Sequence, residues 1–161
     1  PTATTGLALV ALNCLERDFL DSCHSIEDHV LQAREEHKQY WADQAVVATL
    51  QPAVITQRRG QLLHLSLQIT IKDNLRIIAA NQKELWPIPL AIECKTLALS
   101  VNYPQSESNY YEGSTILELK SMQAVEESQH FDIRIIYQAC NESECLRPNS
   151  LTVSGEVIVI D

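Results

Sequence analysis

Between Leu63 and Ile71 apolar and polar residues alternate without a break. Leu63, Leu65, Leu67, Ile69 and Ile71 fall on one face, and His64, Ser66, Gln68 and Thr70 on the other. A period of two is the signature of an antiparallel strand with one buried face. Shorter apolar segments at residues 45–50, 88–94, 97–103, 115–121, 131–139 and 156–160 predict further strands. Pro52 and the stretch Gln57-Arg58-Arg59-Gly60 read as turns, with Gly60 free to take a positive φ.

Ahead of Asp43 the period changes. Residues 6–20 carry strong helix formers without a breaker, and Ser25 followed by Asp28 resembles an N-cap with an acidic partner three positions on. Ile26, Val30, Ala33, His37, Tyr40 and Trp41 then recur at helical spacing, opposite Arg34, Glu35, Glu36 and Lys38. Two antiparallel helices are expected over residues 1–43. They cannot make a core alone, so their apolar faces must dock on something else. Seven or so short strands with turn signals between them, and no β-α-β alternation, predict one β-sandwich over residues 44–161.

With 45% apolar and 20% charged residues, the 161-residue chain has the composition of a globular protein with a real core. Its net charge of −9 argues against a nucleic-acid partner, which needs clustered Lys and Arg. Arg58–Arg59 is the one basic cluster, and it reads as a solvated turn. No apolar run approaches the ~18 residues of a membrane-spanning helix. The sequence opens at Pro1 with neither an initiator Met nor a signal peptide, and so reads as a mature or excised piece of something longer.

Five cysteines cannot all pair within one chain. Cys14, Cys23 and Cys94 stand alone, and Cys94 follows Ile92 at strand spacing, as a core residue would. His24 and His29 near Cys14 and Cys23 lack the spacing of a tetrahedral metal site, so no metal and no cofactor are expected. Neither a sheltered cleft nor an oriented imidazole is visible for a Cys–His hydrolase. Trp41 and Trp86 read as core or interface anchors. Cys140 and Cys145 differ, because only Asn141-Glu142-Ser143-Glu144 separates them. The segment leaves a strong apolar strand, turns through this polar tetrapeptide and enters another strand, which puts a disulfide within reach. Closing so short a ring contributes only about 2 kcal/mol. A stabilising staple would join distant strands; a small ring at a turn is better suited to opening and closing.

The pattern Tyr137-Gln138-Ala139-Cys140…Cys145-Leu146-Arg147-Pro148 resembles the active-site segment of the N-terminal domain family of the thiol–disulfide interchange protein DsbD. Residues 47–52, the Gly60 turn and residues 65–74 resemble its first strands, and Tyr103-Pro104 with Asn109-Tyr110-Tyr111-Glu112-Gly113 its cap loop. The likeness runs in order over residues 45–160. It implies an immunoglobulin-like fold and a periplasmic or other extracytoplasmic relay of reducing equivalents. The implied partners are thioredoxin-like proteins or domains, a membrane-embedded electron donor and oxidised protein substrates. Cys145 would form the mixed disulfide, Cys140 would resolve it, and Tyr110 and Tyr111 would cap the sulfurs. Arg147 stands where a second proline is common in the family, and Glu107 is a loose match to an acidic residue beside the cap. Residues 1–43 have no counterpart there and read as the tail of another domain. The competing reading is a noncatalytic immunoglobulin-like module with a structural disulfide that docks or orients a neighbouring domain.

Overall fold

The computed structural model describes residues 26–34, 44–80 and 87–161. The chain divides into two compact units, Pro1–Tyr40 and Trp41–Asp161. In the first, residues 26–34 form a helix whose apolar positions Ile26, Val30 and Leu31 are exposed. The rest of the expected helix pair, with Cys14, Cys23 and Trp41, lies outside the described residues, as does Trp86.

Among the described residues the second unit has eleven strands, two groups of which form four-stranded sheets. One sheet runs β1 (Val46–Gln51), β3 (His64–Ile71), β8 (Ser114–Ser121), β6 (Leu99–Asn102), every neighbour antiparallel. The other runs β2 (Val54–Arg58), β11 (Asn149–Ile160), β9 (Gln129–Tyr137), β5 (Ala91–Cys94), antiparallel except for β2 against β11. In the immunoglobulin scheme β1, β3, β8 and β6 take places A, B, E and D, and β5, β9 and β11 take C, F and G. The fold is therefore an immunoglobulin-like antiparallel sandwich, as expected. Its first strand is shared between the sheets: β1 ends at Gln51, the Gln51–Pro52 peptide is cis, and β2 continues on the opposite sheet.

The alternation read in the sequence becomes the core. Leu63, Leu65, Leu67, Ile69 and Ile71 are all buried, in one apolar cluster with Leu117 and Leu119 of the neighbouring β8 and with Phe131, Ile133, Ile135 and Tyr137 on β9 of the other sheet. Differences from expectation lie at strand ends. Gln57 and Arg58 belong to β2 and not to a turn, because Val159 and Ile160 offer them a parallel partner. Gly60 does take φ +82° in the turn that follows. Strand β11 starts at Asn149 and not at Glu156, since β9 is long enough to pair with it back to Tyr137.

Strands β4 (Arg76–Ile78), β7 (Tyr110–Tyr111) and β10 (Ala139–Cys140) form a third, three-stranded sheet in the order β10-β4-β7. Each belongs to a different connection: β4 between β3 and β5, β7 between β6 and β8, β10 between β9 and β11. Antiparallel pairing brings these connections to one end of the sandwich. The end of β3 meets the start of β8 at Thr70↔Ser114, and the end of β9 meets the starts of β5 and β11 at Ala91↔Ile136 and Asn149↔Tyr137. This is the loop end that carries recognition loops in variable immunoglobulin domains.

Candidate functional site

The cysteine pair sits in the third sheet, at the loop end. Strand β9 brings Ile133, Ile135 and Tyr137 into the core, and the chain then breaks step at Gln138 before β10. Cys140 and Cys145 face each other across a hairpin and are joined by a disulfide with S–S 2.06 Å. The hairpin is closed by Leu146 N–H donating to Ala139 O and Asn141 N–H to Glu144 O, both at 2.8 Å. Its tip is an Asx turn: Asn141 Oδ1 accepts from the backbone amides of Ser143 and Glu144 at 2.8 Å and from the Ser143 hydroxyl at 3.0 Å. The ring is thus held by its own hydrogen bonds as well as by the sulfurs. Cys140 is buried, while Cys145 is partly exposed. Of the two residues, Cys145 is the more exposed.

Gln138 anchors the hairpin from below. Its side chain is fully buried; Oε1 accepts from Ile88 N–H at 2.8 Å and Nε2 donates to Leu146 O at 3.0 Å. One amide therefore ties the returning arm of the disulfide hairpin to the segment entering β5. A buried amide is tolerated only when so satisfied.

Across the third sheet, side chains of directly paired residues share a face. The pairs Ala139↔Ile77 and Ile77↔Tyr111 place these three on the face turned to the main core, where all are buried. Cys140↔Arg76, Ile78↔Tyr110 and the Cys140↔Cys145 bridge place the cysteines, Arg76, Ile78 and Tyr110 on the other face. The two adjacent tyrosines thus part company, as neighbours on a strand must. Tyr111 is core: its hydroxyl donates to Pro104 O at 2.7 Å, and burial pushes its pKa up, opposed by a hydrogen bond with the Ala80 backbone. Tyr110 shares the face of the cysteines but stands two strands across from Cys140 and two residues along, roughly 12 Å between backbones at ordinary strand spacing and rise. Arg76 fills the gap, with Cζ 4.1 Å from the Tyr110 ring centroid. Asn109 (φ 66°) and Gly113 (φ 65°) occupy the left-handed region at either end of the Tyr110–Tyr111 segment, a conformation Asn and Gly accept most readily. Glu107 is exposed in the turn before β7, and Arg147 is exposed after the hairpin.

A cleft of about 610 Å³ opens beside the hairpin, lined by residues 72–76, Glu112, Gly113 and residues 141–143. It carries charges of both signs: Lys72 and Arg76 against Asp73, Glu112 and Glu142. Elsewhere, Cys94 is a free thiol, partly buried against the core at the end of β5. Among the described residues no cluster of His, Cys, Asp and Glu is placed to hold a metal ion, and no helix is long and apolar enough to cross a membrane.

No family model matches the sequence, and no curated protein matches it. Among solved structures, the chain is similar to the N-terminal domain of DsbD from Neisseria meningitidis in its reduced form. That match has 16% identity and a TM-score of 0.43, covering 70% of this chain and 85% of that one. It is also similar to the BIgI domain of beta protein from S. agalactiae, bound to CEACAM1 in its structure. In that case identity is 14% and the TM-score 0.37, covering 71% of this chain and 95% of that one. Similarities this loose carry no functional inference, and the fold assignment stands on strand order.

Sequence reading missed two residues of the site. Gln138 lies inside the motif that drew attention to the cysteines, and its signal is an amide directly between Tyr137 and Ala139, both buried. Arg76 is a single charge ahead of Ile77-Ile78-Ala79-Ala80, and nothing in the sequence ties it to Cys140 or Tyr110.

Proposed function

We propose that this domain is a thiol–disulfide exchange module, with Cys140 and Cys145 as its redox pair. The observation that carries the reading is the disulfide's position: it closes a hairpin at the loop end and does not join the two main sheets. Opening it breaks no link between distant parts of the fold, and the ring contributes only about 2 kcal/mol through loop closure. The partly exposed Cys145 is the sulfur an incoming thiolate reaches. The likeness of residues 137–148 to the DsbD N-terminal family points the same way, and with it to thioredoxin-like partners and an extracytoplasmic setting.

The chemistry is two exchanges. A donor thiolate attacks Cys145 Sγ, the S–S bond breaks, and its electron pair leaves on Cys140 as a thiolate. The donor's second thiol then attacks the mixed disulfide and releases the reduced pair. In the onward step the Cys145 thiolate attacks an oxidised substrate, and the Cys140 thiolate displaces the reduced substrate from Cys145. On this reading Tyr110 shields the site together with Arg76 beneath it, while Tyr111 supports the sheet from the core side.

Trapping tests the assignment. Reduced Cys140→Ala protein, which cannot resolve, should accumulate a mixed disulfide through Cys145 with a thioredoxin whose second active-site cysteine is replaced and whose first is activated as a thionitrobenzoate mixed disulfide, reversible by dithiothreitol. Cys145→Ala should trap far less. Equal trapping by both variants, or more by Cys145→Ala, would contradict Cys145 as the attacking and Cys140 as the resolving cysteine. If neither traps and the wild-type bond resists exchange, the noncatalytic docking module becomes the better account.

A further inference from the structure

Arg76 is the residue at this site whose environment is least accounted for by packing. Its Nε is buried with no hydrogen-bond partner, although buried guanidinium nitrogens are normally satisfied. Its guanidinium is held against the Tyr110 ring. Its backbone is the direct antiparallel partner of Cys140, so the two Cβ atoms lie on one face, about 5 Å apart by the geometry of such pairs. The other charged groups lining the cleft with it are Lys72 and Asp73 ahead of β4, Glu112 after β7, and Glu142 in the hairpin loop.

We infer that Arg76 is the counter-charge for the thiolate released at Cys140 when the disulfide is opened at Cys145. The inference rests on the exchange reading and deepens it. In the oxidised protein the sulfurs are neutral and the guanidinium has no anion at its buried edge. When a partner thiolate forms its bond to Cys145 Sγ, the electron pair of the old S–S bond moves to Cys140 Sγ. Cys140 is 3% exposed, and burial alone disfavours a thiolate there. A cation on the same face offsets that cost, and a stabilised thiolate leaves faster. The same charge directs the chemistry: attack at Cys145 leaves the anion beside Arg76, whereas attack at Cys140 would leave it on the outer arm of the hairpin. Tyr110 is then a positioning residue, since its ring face holds the guanidinium in place by a cation–π contact. Shielding and electrostatics are joined in one side-chain pair.

The test compares wild type, Arg76→Met, which keeps most of the apolar stem, and Arg76→Lys, which keeps the charge. The first readout is the rate at which dithiothreitol opens the disulfide. The second is the pH profile of iodoacetamide alkylation in protein reduced with a phosphine, resolved by mass spectrometry into Cys140 and Cys145. Arg76→Met should slow opening about threefold to tenfold, the range expected for a lost neighbouring cation acting on a leaving thiolate. Its Cys140 profile should move to higher pH while that of Cys145 stays, and Arg76→Lys should recover most of both. Unchanged opening and an unchanged Cys140 profile in Arg76→Met would overturn the inference, as would equal shifts at both cysteines. The alkylation profile needs no partner, so it judges Arg76 even if the pair proves inert to thioredoxin. Exchange that proceeds normally without Arg76 would sink this role alone and leave the exchange reading standing.

Discussion

Gly155→Ala should destabilise the sandwich by about 3 kcal/mol, at the upper end of what overpacking costs. Gly155 lies in β11 directly opposite Phe131 of β9. A Cβ built there would stand 2.4 Å from Phe131 Cζ, 2.7 Å from Phe131 Cε2 and 2.9 Å from Leu50 Cδ2. Phe131 is 1% exposed and Leu50 6%, so neither side chain has solvent to retreat into. The bare glycine lets the ring lie across β11, and through Leu50 the contact also ties in β1 from the other sheet. For a unit of this size the melting temperature should fall by roughly 10 °C. Phe131→Leu added to Gly155→Ala should recover part of the loss by making room. A thermal melt of Gly155→Ala within a degree of wild type would show that the ring can move aside at little cost.

The second large effect belongs to the site. Gln138→Leu keeps the volume but removes both side-chain hydrogen bonds, leaving Ile88 N–H and Leu146 C=O without their partner inside the protein. Each such group costs about 1–3 kcal/mol, so a total loss near 3 kcal/mol is expected. The damage should be local in character as well as global in magnitude. Hydrogen exchange should show the Ile88 amide losing protection, while amides along β3 and β8 keep theirs relative to global stability. The returning arm of the hairpin, with Cys145 at its start, should become more accessible to alkylation after reduction. Wild-type protection at Ile88 in Gln138→Leu would mean that backbone or water replaces the amide without penalty.

The large elements were legible because their pattern is long. Five alternating apolar positions in residues 63–71 identify β3 and its buried face without help from any other segment. The sandwich followed from such runs and the absence of helical crossovers. Strands β4, β7 and β10 were not legible, because two or three residues contain no period to read. They exist only because three connections meet at one end, which is a property of topology and not of local propensity. The cysteine pair was visible in its spacing and the aromatic pair through the resemblance of its segment to the family's cap loop, but not the way the two tyrosines divide. Tyr110 and Tyr111 face opposite sides of a strand whose existence depends on β4. Arg76 was hidden for the same reason, since its link to Cys140 is a register between segments far apart in sequence.

The central claim is that Cys140–Cys145 is a working redox couple and not a staple, and its reduction potential tests that most directly. Equilibration against glutathione and thioredoxin, read by quantifying alkylated thiols, should place the couple at roughly −200 to −270 mV, the range of proteins that exchange disulfides. Far-ultraviolet circular dichroism on the same samples should show the sandwich intact in the reduced state, since the ring adds only about 2 kcal/mol. A potential well below about −300 mV, where inert structural disulfides lie, or loss of the fold on reduction, would contradict the account.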